Sequence, residues 1–225
     1  MTRLFLWGIT MIEHHKSELG KFNYDTEEYE IIRDFYGLHL RYIGNGNRVH
    51  FPQGCNSCRN IFEDYQGKYL DLSEFDTTDV IDMSNMFRGC FNVETLDLSN
   101  FNTVKVKTME SMFNGCTSLK QIDLTNFNVE NVICISYMFK KCVSLEVLDL
   151  TSFRLNSVAY KEIGVFKHCK RLRCVVLPSK YAKDTNDFIF SLLSDCISLR
   201  YIQNKDMTVD EQIFERIDWE DLYHI

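Results

Sequence analysis

The sequence predicts an α/β solenoid of repeats 26 or 27 residues long, with helical segments capping both ends. One residue pattern returns at this fixed spacing along the middle of the chain. Within each unit, a short alternating triplet precedes a helix-like apolar stripe. A unit of this size cannot bury both of its apolar faces alone, so neighbouring units are expected to stack.

The triplets begin the repeat and recur in register over residues 70–72, 96–98, 122–124 and 148–150, and more loosely over 175–177. Other apolar columns keep the same step. One consists of Phe75, Phe101, Phe127 and Phe153, and another of Cys90, Cys116, Cys142, Cys169 and Cys196. Several columns in register make chance repetition negligible.

The second half of each unit predicts a helix. Met109, Met112 and Phe113 stand at positions i, i+3 and i+4, which places them on one helical face. Gly115 follows this stripe, where a left-handed C-cap is expected.

The stretch LKQIDLTNFNV, Leu119 to Val129, fits the leucine-rich-repeat pattern except that Phe127 takes its Asn/Cys position. Together with MFxxC in the helical half, it resembles the BspA-like leucine-rich repeats of bacterial and protist proteins. The resemblance covers residues 70–201 and leaves residues 1–60 uncovered. It implies a leucine-rich-repeat solenoid. Many family members are exported or anchored at the cell surface, a localisation that we do not carry over because we see no export signal or anchor.

Three parts are expected: an N-terminal cap over 1–69 that includes a degenerate repeat, five repeats over 70–201, and a C-terminal capping helix over 202–225. The N-terminal cap should contain a helix that starts at Asp25 and ends at Gly37. Thr208 starts the C-terminal helix, whose apolar face is either a lid over the last repeat or a partner-binding surface.

The chain has nine cysteines, an odd number, and no convincing export signal, which predicts free thiols. A file of stacked cysteines fits small buried side chains, since metal ligands must converge and a file does not. The CxxC formed by Cys55 and Cys58 has no second pair at zinc spacing, and it more simply belongs to the degenerate repeat.

The net charge of −7 and the pI of about 5.4 disfavour direct nucleic-acid binding, which needs lysine and arginine. The apolar stretch LFLWGITMI, over residues 4–12, is too short to span a bilayer and lacks the flanks of a signal peptide. We therefore expect a cytoplasmic protein without a membrane partner. The oligomeric state is left open.

Catalytic motifs are absent from the sequence: it contains no GxGxxG, P-loop, GxSxG or HExxH pattern. None of the six histidines recurs with the repeat or stands at metal spacing with another ligand. We expect no enzymatic activity, no catalytic residue, no metal and no cofactor.

The middle residue of each triplet should face away from the core, on the concave side, because side chains alternate along a strand. These residues are Asp71, Asp97, Asp123 and Asp149, and they are flanked by Thr95, Gln121 and Val147. Stacked carboxylates repel, so something must offset the repulsion: hydroxyls two residues further on, or a basic partner. A row of carboxylates is also a conceivable Ca²⁺ site, although it resembles no known calcium loop.

The sequence thus predicts a non-catalytic module that binds a protein partner through this face. Lys170, Arg171 and Arg173, in a basic stretch, form a second candidate patch. The alternative is a small acidic inhibitor that blocks a basic, nucleic-acid-binding enzyme.

Overall fold

The computed structural model describes residues 29–34, 37–46, 48–51, 55–153, 164–177 and 201–204. It contains an antiparallel hairpin, β1 (Tyr29–Asp34) and β2 (Gly37–Tyr42). It also contains a parallel sheet in which β3 (Val147–Asp149), β4 (Cys174–Leu177) and β5 (Tyr201–Asn204) pair in chain order. The described residues include short strands but no α-helix, so the helical half of the predicted α/β class is not found in this part of the chain.

In the repeats whose second half lies wholly within the described residues, the predicted helix is instead a run of tight turns. We call these runs the turn segments, and they cover residues 58–65, 83–90, 109–116 and 135–142. Backbone donors alternate along them: Met86, Arg88 and Cys90 bond to the carbonyl three residues back, at 3.3, 3.0 and 3.2 Å. The residues between them donate to the next repeat, as Phe87 does to Met112 O at 2.8 Å. A helix would need every donor to bond four residues back, so stacking and helix formation compete for the same N–H groups.

Left-handed residues explain how the backbone turns in this way. One column of the turn segments has φ between 54° and 58°, and it comprises Asn60, Asn85, Ser111, Tyr137 and Gly164. A second column, four residues further on, comprises Asp64, Gly89, Gly115, Lys141 and His168. Gly115 is therefore left-handed as predicted, but it closes a turn rather than a helix. Two positive φ values four residues apart are incompatible with a helical run.

Regularly spaced contacts between neighbouring units agree with the predicted repeats. Isolated parallel bridges join Ser57 to Asp82, Asp82 to Thr108 and Thr108 to Cys134. Residues 58–65 bond to residues 82–88 through the same pattern of backbone contacts that links the later units. The segment that contains Cys55 and Cys58 thus stacks on the repeat that follows it.

Only the fourth and fifth triplets lie in strands, whereas 70–72, 96–98 and 122–124 do not. Side chains instead take over part of the hydrogen bonding at the earlier triplets. Asn100 Nδ2 donates to the carbonyls of Leu72 at 2.9 Å and Phe75 at 3.2 Å, and Asn126 Nδ2 repeats this on Leu98 at 2.9 Å and Phe101 at 3.1 Å. Carbonyls that would enter a parallel ladder are satisfied by an asparagine of the next repeat.

The apolar columns form a continuous core. Two files of nearly parallel phenylalanine rings run through it, with centroids 5.3–6.5 Å apart; they are Phe75, Phe101 and Phe127, and Phe62, Phe87, Phe113, Phe139 and Phe166. The rings of the second file repeat at one position because the turn segments stack in register, and the first file follows the same repeat step just after the triplets. Offset stacking of this kind adds to the gain from burial.

The cysteine column is buried, and every described cysteine is a free thiol. Each Sγ donates to a phenylalanine carbonyl of the preceding unit: Cys90 to Phe62 at 3.2 Å, and Cys116 to Phe87 at 3.1 Å. Cys142 and Cys169 continue the series. Burial raises the pKa of Cys142 to about 12, which keeps the thiol protonated. Cys196 lies outside the described residues.

The N-terminal end differs from the predicted helix, because the residues at 29–34 form β1. Its partner β2 alternates in GLHLRY, and the period of two places Leu40 and Tyr42 in the core. The Tyr42 ring meets Phe62 edge-on at 5.4 Å, and Tyr42 N donates to Ile61 O. A hairpin therefore packs where a helix was expected.

At the other end, the predicted capping helix over 202–225 is wrong for its first residues, because β5 includes residues 202–204. β5 continues the parallel sheet, with Tyr201 opposite Cys174. The remainder of that prediction, from residue 205, lies outside the described residues.

Replacing Phe101 or Phe127 with alanine should lower the free energy of unfolding by about 3–5 kcal/mol, because both rings are buried in the core, Phe101 between Phe75 and Phe127 and Phe127 against Phe101. Urea titration of the purified protein measures this loss. Phe91→Ala is the matched control, since that ring is 47% exposed, and it should change stability by no more than about 0.5 kcal/mol. Equal effects at Phe91 and Phe101 would contradict the core assignment.

Candidate functional site

The exposed side of the triplets forms one continuous surface, which we call the triplet face. It consists of the middle residue of each of the first four triplets and the residue before the triplet: Tyr69, Asp71, Thr95, Asp97, Gln121, Asp123, Val147 and Asp149. Within β3 the burial pattern alternates, with Val147 exposed, Leu148 buried and Asp149 partly exposed. The predicted candidate residues are thus brought together on one side of the repeats, although the first three triplets are not strands.

Each aspartate of this face caps the turn that follows it. The Oδ1 atoms of Asp71, Asp97, Asp123 and Asp149 accept the backbone N–H two residues further on, at 3.1, 3.0, 2.9 and 2.8 Å. The hydroxyls of Ser73 and Thr125 donate to the same oxygens, at 2.6 and 2.7 Å. Of the two explanations given for the stacked carboxylates, local hydrogen bonding is the one that these contacts display.

These bonds also favour the charged form of three of the aspartates. Hydrogen bonds from Ser73 and Ser99 lower the pKa values of Asp71 and Asp97, and bonds from Thr125 lower the pKa of Asp123. In each case, the donors stabilise the ionised form. These three carboxylates therefore stay charged at neutral and mildly acidic pH.

The column beside the aspartates varies from repeat to repeat. Thr95, Gln121 and Val147 are all exposed, and Val147 keeps 47% of its surface accessible. Sequence reasoning missed Tyr69, which occupies the same position one repeat earlier and is 61% exposed. The 26-residue step back from Thr95 is the signal that locates it.

The second candidate patch is exposed at Lys170, Arg171 and Arg173. Arg173 is not available as an isolated cation, since its guanidinium lies 2.7 Å from the Glu146 carboxylate of the preceding repeat. At least one member of the basic patch therefore takes part in contacts between repeats.

Among the described residues, no group of three histidine, cysteine or acidic side chains converges in a way that could hold a metal ion. Within the same part of the chain, no helix is long and apolar enough to cross a membrane.

The capping bonds predict an acid-dependent loss of stability. A folded pKa below the ordinary aspartate value of about 3.9 contributes stability above that value, and the contribution disappears as the pH falls through the folded pKa. Asparagine can still accept the turn bond but does not titrate. Replacing Asp71, Asp97 and Asp123 together with asparagine should therefore reduce the drop in urea midpoint between about pH 6 and pH 3.

Glu110→Gln removes an exposed carboxylate outside the triplet face, and it serves as the control for this titration. If the triple variant loses as much stability on acidification as the native protein, then these aspartates do not carry the effect.

Comparison with known proteins gives one family match. A model of the family described as "Mycoplasma protein of unknown function, DUF285" matches residues 56–175, which include the turn segments and all but the last few residues of the triplets described above. No curated protein and no solved structure matches the chain.

Proposed function

The chain belongs to the DUF285 family, and on that basis we propose that its repeats form a leucine-rich-repeat solenoid of the BspA-like kind that binds a protein partner without catalysis. The partner contacts the triplet face. Repeats that stack in chain order offer an extended surface of the kind that binding solenoids use.

The observation that carries this proposal is the contrast between constant and varied columns. Buried positions hold nearly the same residue in each repeat, as the phenylalanine and cysteine columns do. The aspartates are also constant, and each has a structural task in capping a turn. Tyr69, Thr95, Gln121 and Val147 differ in every repeat and have no core role. A regular scaffold that presents different side chains at equivalent points is suited to recognising one partner in one register.

The varied column and the aspartates contribute differently to binding. The varied column offers an aromatic ring, polar groups and an aliphatic side chain, which supply shape and apolar contact. The ionised aspartates beside it favour a partner whose contacting surface is basic, and such charges act mainly on the rate and specificity of association.

The test places arginine on the face without touching the turn caps. Charge reversal at Asp97 and Asp123 would also remove capping bonds, so it would confound folding with binding. Thr95→Arg combined with Gln121→Arg blocks the face at two exposed positions. Val104→Arg combined with Ile133→Arg adds the same charge at positions that are 49% and 56% exposed and lie outside the triplet face.

Proteins captured by the immobilised native chain from its source cell are identified by mass spectrometry, and their affinities are then measured with each purified variant. We expect the face variant to weaken binding at least about tenfold, as expected when a central contact is lost, and the control to leave it unchanged. Equal affinity of the face variant and the native chain, or an equal loss in the control, would refute the assignment.

The same capture separates the second candidate function. The ionised aspartate row and the net charge of −7 favour an inhibitor that covers the basic surface of a nucleic-acid-binding enzyme. A nuclease or polymerase as the captured protein, inhibited by the native chain and not by the face variant, would favour this candidate. A receptor or adhesin would favour the role seen in the BspA-like family.

A further inference from the structure

The repeats have nearly identical buried side chains, so the interior does not determine which repeat stacks on which. Stacking a repeat on the second one along the chain would still match phenylalanine with phenylalanine and cysteine with cysteine. Misassembly and swapping between copies are characteristic failures of repeat proteins. Apolar burial alone therefore cannot specify which repeat lies on which, and some feature that changes along the chain has to do so.

Such a feature lies immediately before the varied column. Positions one repeat apart there alternate in charge, and we call them the charge ladder: Lys68, Glu94, Lys120, Glu146 and Arg173. The Nζ atom of Lys120 lies 2.6 Å from Glu94 Oε2, and the guanidinium of Arg173 lies 2.7 Å from Glu146 Oε2. Backbone bonds hold the same pairs, because Lys120 N donates to Glu94 O at 3.4 Å and Arg173 N to Glu146 O at 3.0 Å.

Lys68 belongs to the same series. The bond from Lys120 is the main cause that lowers the pKa of Glu94, and the charge of Lys68 lowers it further. Glu94 is thus flanked by a cation on either side along the stack. By the same register, Arg200 follows Arg173 with the same sign, and it lies outside the described residues.

We propose that the charge ladder is a register code that specifies the stacking order of the repeats. In the native order, each step places opposite charges at equivalent positions of neighbouring repeats, and ion pairs form at two of the four steps, 94–120 and 146–173. Skipping one repeat brings like charges together at every step: Lys68 with Lys120, Glu94 with Glu146, and Lys120 with Arg173. Exposed ion pairs contribute little to stability. Skipping a repeat, however, replaces attraction with repulsion at each step, and this difference disfavours the skipped order relative to the native one.

Three other ion pairs also join positions about one repeat apart: Arg48 with Glu74 at 3.8 Å, Glu63 with Arg88 at 3.0 Å and Asp79 with Lys105 at 2.6 Å. Their columns continue with Asn100, Asn114 and Asn131, so none extends into an alternating series. Among the described ion pairs between repeats, alternation over five positions is specific to the charge ladder.

The decisive variant exchanges one pair, as Glu94→Lys with Lys120→Glu. It keeps composition, net charge and the attraction between positions 94 and 120. It makes every skip-one pairing attractive and makes the neighbouring steps 68–94 and 120–146 repulsive. Refolding from denaturant at low salt, followed by size-exclusion chromatography, measures the fraction that returns as native monomer.

Two controls separate the code from a simple loss of ion pairs. Glu94→Gln with Lys120→Gln removes the attraction without favouring skipped repeats. Inverting all five positions (Lys68→Glu, Glu94→Lys, Lys120→Glu, Glu146→Lys and Arg173→Glu) restores alternation with opposite signs.

We expect the exchanged pair to raise the misassembled fraction about two- to fivefold above the glutamine variant, which matches the strength of exposed pairs. The excess should vanish in about 1 M salt, and the full inversion should refold like the native chain. The proposal is overturned if the exchanged pair refolds like the glutamine variant, or if the full inversion misassembles as much as the exchanged pair. It is also overturned if the exchanged pair fails to fold at both low and high salt.

Discussion

The structure depends on how the turn segments divide their backbone donors. Alternate N–H groups close a turn within the repeat, and those between them reach the next repeat at 2.7–3.0 Å in the four turn segments. A buried backbone group must be paired, so each repeat needs its neighbour to satisfy half of these donors. The same requirement fixes the two left-handed columns, because each N–H must point along the stack at the right residue. It also aligns equivalent side chains, which places phenylalanine over phenylalanine and cysteine over cysteine.

A scaffold made in this way separates structure from surface. The interior columns recur along the repeats, and the aspartate caps recur at the first four triplets, because these units must bury the same apolar side chains and close the same turn. The other exposed columns have no such structural role and can differ from repeat to repeat. The varied column of the triplet face and the alternating charge ladder are neighbouring examples, and we assign to them two different tasks: contact with a partner and order among the repeats. Both tasks require the repeats to be held in a fixed register, which the shared backbone bonds provide.

The sequence was sufficient to find the repeats and most of the core, because burial at a fixed period leaves the same residue type at each step. Phe101 and Cys116 were assigned to apolar columns on that basis, and they are buried. The sequence was insufficient to decide whether the second half of a repeat forms a helix or a run of turns. Met109, Met112 and Phe113 do share one apolar side, but the left-handed φ of Ser111 is incompatible with a helix. A serine in the sequence does not predict a left-handed backbone conformation. Asparagine at the equivalent positions 60 and 85 was the one sequence signal for a left-handed residue there.

The hydrogen-bonding roles of Asn100 and Asn126 were missed because their carbonyl partners lie 25–28 residues away along the chain. On the triplet face, the aspartates lie away from the core, but their capping bonds depend on turn geometry that composition alone does not fix.

Scalar couplings across hydrogen bonds, measured by NMR on deuterated protein, identify the carbonyl that each N–H of a turn segment bonds to. We expect couplings between Phe87 N and the Met112 carbonyl carbon, and between Phe113 N and the Met138 carbonyl carbon, which connect neighbouring repeats. Met86 N should couple to the Met83 carbonyl carbon within its own turn. A coupling from Phe87 N to the carbonyl carbon of Met83, four residues back, would mean that the segment is helical and that the repeats are not held together by their backbones.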